Sequence, residues 1–170
     1  MTRRDFILKW LLYALAMLPI VILEIYLFPR LPIFGIIPSL FPVAAVTVAM
    51  LEGPVAGAGF GLFVGILSDA MTPGTPGFSI ICLALLGYAA GAAARYGIRQ
   101  NMLGCLLCST GALAVLNLLR IIYSLFRGLA SLWSLLLVAL PEILLSLVFL
   151  PLIYGIFLWV FRRVPHATAF

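Results

Sequence analysis

Long apolar runs, cut by short groups of charged residues, prolines and glycines, recur along the whole chain. A helix needs about 20 mostly apolar residues to cross a bilayer, and runs of that order predict spans at residues 6–28, 33–51, 54–71, 77–94, 102–126 and 142–161. The last apolar block, 131–161, is too long for one ordinary span and contains Pro141 and Pro151. Proline removes a backbone donor and clashes with the preceding turn. Residues 131–140 are therefore expected to form a separate interfacial or re-entrant segment, with the sixth span opening at Glu142.

A second periodicity lies inside the third run. Gly53, Gly57, Gly61 and Gly65 recur every fourth residue, and the next step of the ladder is Asp69. Residues four apart share one face of an α-helix, so this face carries no side chains until it reaches a carboxylate. In lipid no hydrophobic force draws helices together, and small residues favour association by letting backbones approach. The fourth run has a matching step, Gly87 to Gly91. These six glycines are expected to form a helix-packing face. Packing within the chain is the plain reading, and receipt of a foreign helix is the alternative. The loop between the two runs, AMTPGTPGFS, contains two Pro-Gly pairs and reads as tight turns closing a hairpin.

Composition excludes a soluble fold. Hydrophobic residues make up 65% of the 170 and charged residues 9%, against about 25% charged in a soluble domain. The expectation is one all-α integral membrane domain over residues 1–170, a bundle of about six transmembrane helices. Charge placement orients it. With the N-terminus inside, Arg3, Arg4, Lys9, Arg95, Arg99, Arg162 and Arg163 gather on the cytoplasmic side, leaving Arg30, Arg120 and Arg127 towards the other. That bias fits the positive-inside rule for an N-in, C-in protein. The first run follows Arg3 and Arg4 as a secretory signal would. It is longer than a signal's apolar core and no small-residue cleavage pattern follows, so it reads as a retained span. The net charge of +5 comes from scattered arginines at span ends, with no basic–aromatic patch, so no nucleic acid is implied. Anionic lipid headgroups account for it.

On this topology several charged residues fall towards the outer ends of their spans: Glu24, Asp69, Arg120 and Glu142, with Arg30 and Arg127 close by. Intramembrane charges are tolerated when they pair or face a cavity. Glu24, Asp69, Arg120, Arg127 and Glu142 are thus a candidate polar cluster for a ligand or a docking partner. The plain alternative is that long arginines snorkel to the headgroups and the acids neutralise them. Asp69 leans towards function, because it is short and continues the glycine face.

Other chemistry finds little support. Cys105 and Cys108 form a C-x-x-C and Cys82 stands alone, but a metal site would want a second pair or histidines, and the one histidine, His166, lies in the tail. No catalytic or nucleotide-binding motif is present. The three intramembrane acids come from separate spans with no histidine or lysine beside them, which disfavours acid–base catalysis. No enzyme activity, metal or cofactor is expected.

The stretch GPVAGAGFGLFVGILSDAMTPGTPGFSIICLALLGYAAG, from Gly53 to Gly91, resembles the central region of the rod-shape-determining MreD family. That family has a glycine-rich third span ending in a G-L-L-x-D-like sequence, matched here by Gly65-Ile66-Leu67-Ser68-Asp69, with isoleucine in the second position. A Gly/Pro turn follows, then an apolar helix with a Gly-Tyr pair, here Gly87-Tyr88. Pro38-Ser39-Leu40 and Pro42 are similar to the proline-containing second span. The resemblance implies a non-enzymatic scaffold of bacterial cell elongation in the inner membrane. It would work with membrane-anchored MreC, the RodA glycosyltransferase, a class B penicillin-binding transpeptidase and the MreB filament to organise lateral-wall peptidoglycan synthesis. It also implies a fold similar to the six-helix substrate-binding S component of energy-coupling-factor vitamin transporters, which is the competing function. Such components usually show an A-x-x-x-A step in the first span; here the position four after Ala14 is Leu18.

Overall fold

The computed structural model describes residues 3–27, 30, 38–71, 77–96, 102–126 and 132–163. All the regular structure among them is helical: α1 Arg3–Ile22, prolonged by a π-helical turn Leu23–Leu27, α2 Leu40–Glu52, α3 Pro54–Met71, α4 Phe78–Tyr96, α5 Met102–Phe126 and α6 Leu132–Arg163. Arg99, Arg127, His166, residues 33–37 of the expected second span and residues 72–76 of the Pro-Gly loop lie outside the described residues.

Five segments are long and apolar enough to cross a bilayer, over Ile7–Tyr26, Pro54–Met71, Phe78–Tyr96, Met102–Tyr123 and Ala139–Arg162. Many of their exposed large side chains are apolar, including Leu11, Leu15 and Leu18 on α1, Leu85 on α4 and Leu144, Val148 and Leu152 on α6, whereas the exposed Arg95, Arg120 and Arg162 lie near segment ends. A helix that is apolar outside as well as inside is the form lipid requires, because every backbone polar group must be satisfied within the segment.

The sixth segment differs from its expected span. α2 starts at Leu40, after Ser39 in an extended conformation, and has 13 residues. At 1.5 Å per residue it is about 20 Å long, short of the ~30 Å of hydrocarbon. Every residue from Leu40 to Leu51 is buried. The other five helices all pack on α2, which is therefore the bundle's axis.

α2 passes into α3 through one residue. Gly53 has φ +98°, a conformation that side-chain-bearing residues rarely adopt. Its N–H donates to Ala49 O at 2.9 Å and its carbonyl accepts from Gly57 N at 2.8 Å, so the reversal loses little backbone bonding. α3 and α4 then run antiparallel with their backbones almost in contact. A Cβ on Gly57 would lie 2.7 Å from Gly87 O, one on Gly61 2.3 Å from Leu83 O, one on Gly65 2.5 Å from Ile80 Cα, and one on Gly91 2.6 Å from Gly53 C. The side-chain-free face is thus filled by the chain's own fourth helix.

The expected break at Pro141 does not occur. α6 is one helix of 32 residues that includes Pro141 and Pro151. Each proline removes one bond from the ladder, whereas unwinding in lipid would strand several backbone groups at several kcal/mol each. α6 buries Glu142, Ser146, Leu150, Ile153, Phe157 and Val160, a stripe at helical spacing that faces α2 and its neighbours.

Candidate functional site

Two polar clusters bracket α2, one at each end, and α1 contributes to both. At the C-terminal end of α2, Glu52 pairs with Lys9 Nζ through one carboxylate oxygen and accepts from Tyr13 Oη through the other at 2.7 Å. Lys9 and Tyr13 stand four apart and so share a face of α1. The side chains of Lys9 and Glu52 are only 15% and 9% exposed. Tyr13 also stacks on Phe157 at 6.0 Å and meets Phe60 edge-on at 6.2 Å, tying α1 to α6 and α3.

At the N-terminal end, Glu24 accepts from Leu40 N at 3.2 Å. A carboxyl oxygen acceptor here, reached also by Phe41 N, satisfies orphan donors of the first turn. Lys9 and Glu24 are about 22 Å apart along α1 at 1.5 Å per residue, which matches the length of α2. Antiparallel packing therefore lets one helix hold both ends of the other.

The same mouth draws in α5 and α6. Ser39 N donates to Ser146 Oγ at 3.0 Å, and that hydroxyl donates to Glu142 O at 2.7 Å. Glu142 Oε1 meets Arg120 Nη1 at 3.4 Å; the glutamate side chain is 10% exposed and the arginine 56%. Arg120 and Glu142 are both within electrostatic range of Glu24. Buried Asn117, one turn before Arg120, donates to Leu113 O at 3.1 Å.

The sequence-derived candidates thus divide. Glu24, Arg120 and Glu142 come together at one mouth, whereas Arg127 lies outside the described residues. Asp69 sits at the same end of the bundle but is engaged within the α3–α4 hairpin. Its Oδ2 accepts from Gly77 N at 2.6 Å, where Gly77 has φ +89° and its carbonyl accepts from Ile81 N in the first turn of α4. Asp69 thereby clasps the hairpin turn. Replacing it with alanine should lower the melting temperature by an amount equivalent to about 1 kcal/mol, the usual cost of losing a helix-start acceptor. Thermal unfolding in detergent checks this, and an unchanged melting temperature would deny the clasp.

Lys9, Tyr13 and Glu52 were not among the sequence candidates. A signal existed: Glu52 falls directly before Gly53-Pro54, at a junction of two apolar runs, where a carboxylate needs a partner. Lys9 and Tyr13 offered one on a single face of the first run.

A further polar patch lies in the interior. Thr47 Oγ1 donates to Val43 O at 2.7 Å and lies 3.5 Å from Cys105 Sγ. Cys82, Cys105 and Cys108 are free thiols, and no group of three or more metal-ligating side chains occurs among the described residues.

Five helices able to cross a bilayer, wrapped round a buried sixth whose ends are held by polar side chains, define a multi-pass helical membrane protein. No family model, curated protein or solved structure matches the chain.

Proposed function

We propose that this chain is a non-enzymatic, MreD-like scaffold of the bacterial cell-elongation machinery, held N-in and C-in in the inner membrane. The observation that carries the reading is the 53–91 stretch. Its glycine ladder, the Gly65–Asp69 motif and the Gly87-Tyr88 pair are the resembling residues, and Gly57, Gly61, Gly65, Gly87 and Gly91 among them bring the backbones of α3 and α4 into close approach.

That hairpin also suggests how a scaffold would work. A pair of helices locked backbone to backbone is stiff, and its glycine face is already occupied by its own partner. A bitopic, MreC-like helix would therefore pack on the outward flank, where Val55, Leu62, Phe63, Ile66, Ile81, Leu85 and Tyr88 are exposed and Gly59 has open space around its Cα. The partner's juxtamembrane part would reach the polar mouth beside Arg120. RodA, a class B transpeptidase and MreB would join through that partner.

The test is a photo-crosslinking pull-down from the native bacterium. Phe63 and Tyr88 are replaced, one at a time, by a photoreactive phenylalanine analogue, and crosslinked proteins are identified by mass spectrometry. Adducts to MreC from these positions, and none from buried Phe157, are expected. Recovery instead of an integral coupling subunit with its ATPases would overturn the scaffold reading in favour of an energy-coupling-factor substrate-binding component.

A further inference from the structure

The inward stripe of α5 runs through Ser109, Leu113, Leu116 and Asn117, all buried, and its next step is Arg120. Residues three, four and seven apart share a helix face, so Arg120 points along the interior stripe, yet its side chain is 56% exposed. It therefore stands where the bundle interior opens, not out on the lipid-facing flank. The α5 helix ends at Phe126, about 9 Å further on at 1.5 Å per residue. An arginine this close to the end of a spanning helix is long enough to snorkel to the phosphate level of the headgroups.

Two features of this mouth leave chemistry unspent. The guanidinium has five N–H donors, and among the described residues it has one polar contact, to Glu142 at 3.4 Å, longer than the 2.7–2.9 Å usual for a charge-assisted bond. The acids also outnumber the bases: Glu24 and Glu142 both lie within range of the Arg120 guanidinium, and Glu24 also accepts from the N–H groups of Leu40 and Phe41. Glu24 is itself partly exposed. The mouth thus presents fork-shaped donors suited to a phosphate, with surplus acid beside them suited to a primary ammonium.

We propose that the mouth formed by Glu24, Arg120 and Glu142 seats the phosphoethanolamine headgroup of a membrane phospholipid, its phosphate on Arg120 and its ammonium on the Glu24 side. A zwitterionic headgroup supplies both missing partners without adding net charge. A choline headgroup has no N–H to give the acid, and a glycerol headgroup has no cation. This site requires only that the chain span a bilayer, and a partner reaching the same mouth would compete with the lipid for Arg120.

The test uses the purified full-length protein in mild detergent, with phosphatidylethanolamine, phosphatidylcholine and phosphatidylglycerol of matched acyl chains. Native mass spectrometry reads the lipid retained. Phosphatidylethanolamine should be retained about tenfold more strongly than phosphatidylcholine, the size expected of one charged hydrogen bond. Arg120→Gln should remove the tightly held lipid. Glu24→Gln, whose amide oxygen can still accept from Leu40 N, should abolish the preference for ethanolamine over choline. Equal retention of the three lipids by the unaltered protein would overturn the proposal without recourse to any variant. So would displacement of the bound lipid by millimolar free phosphoethanolamine, since the site would then take a soluble headgroup from water.

Discussion

Replacing Gly61 with leucine should abolish the folded, monodisperse protein. The first carbon of any side chain there would lie 2.3 Å from Leu83 O and 2.8 Å from Leu83 C, so the obstruction is backbone, which cannot rotate away. Relief requires α3 and α4 to separate, and that in turn would open the contacts of Gly57 with Gly87 and of Gly65 with Ile80. Overpacking a rigid interior commonly costs 1–3 kcal/mol; a clash with backbone across a whole helix pair should cost about 3 kcal/mol or more. Gel filtration and thermal melting in detergent provide the measurement. Gly59→Leu is the control, since nothing lies within 4 Å of a Cβ there, and it should behave as the parent protein does. A Gly61→Leu protein that elutes and melts normally would show that the two backbones are not in contact.

Breaking the Lys9–Glu52 pair should be nearly as severe. Both side chains are largely buried, and removing one partner of a buried pair leaves an uncompensated charge, typically at 3–5 kcal/mol. Lys9→Met should therefore lower stability by about 3 kcal/mol, partly offset because Tyr13 still donates to Glu52. The double variant Lys9→Met with Glu52→Gln removes both charges and should recover most of the loss, as neutral replacements of buried pairs often do. Melting temperatures of the four proteins in one cycle give the coupling directly. Additive losses, with no recovery in the double variant, would mean that the two groups do not interact.

The parts of this architecture that were legible in the sequence are the local ones. A run of apolar residues near the thickness of a bilayer announces a span by length alone, and the five spanning segments begin and end close to such runs. Four-residue glycine spacing likewise dictates a bare helix face whatever the partner. What fills that face is a tertiary fact, and here the short hairpin brings α4 to it. The central position of α2 left no trace in the sequence. LFPVAAVTVAML is as apolar as a lipid-facing helix, because in membranes burial and lipid exposure select the same residues. In water the polar side of a helix would have revealed its orientation. Proline at 141 was misleading for a related reason: rules learned where water can receive a freed carbonyl overstate helix breaking in lipid.

Long-range pairing explains the remaining differences. Lys9 and Glu52 are 43 residues apart and Ser39 and Ser146 are 107 apart, separations at which no periodicity connects them. Glu24, Arg120 and Glu142 could be placed at one mouth only because the alternation of spans put them at the same end. Asp69 satisfied the same criterion and turned out to be occupied with Gly77. Membership of an end is readable from topology, whereas bonding within it depends on which backbone donors lie nearest.

The enclosed position of α2 also bears on how the protein is made. α2 leaves the ribosome before α5 and α6, yet its partners include Cys105 on α5 and Ser146 on α6. For most of synthesis, then, a helix too short to cross the membrane unaided has only α1, and then α3 and α4, to shelter it. In that interval Glu24 at one end and Lys9 and Tyr13 at the other, all from the nascent N-terminal segment, would moor α2 at its depth until α5 and α6 close round it.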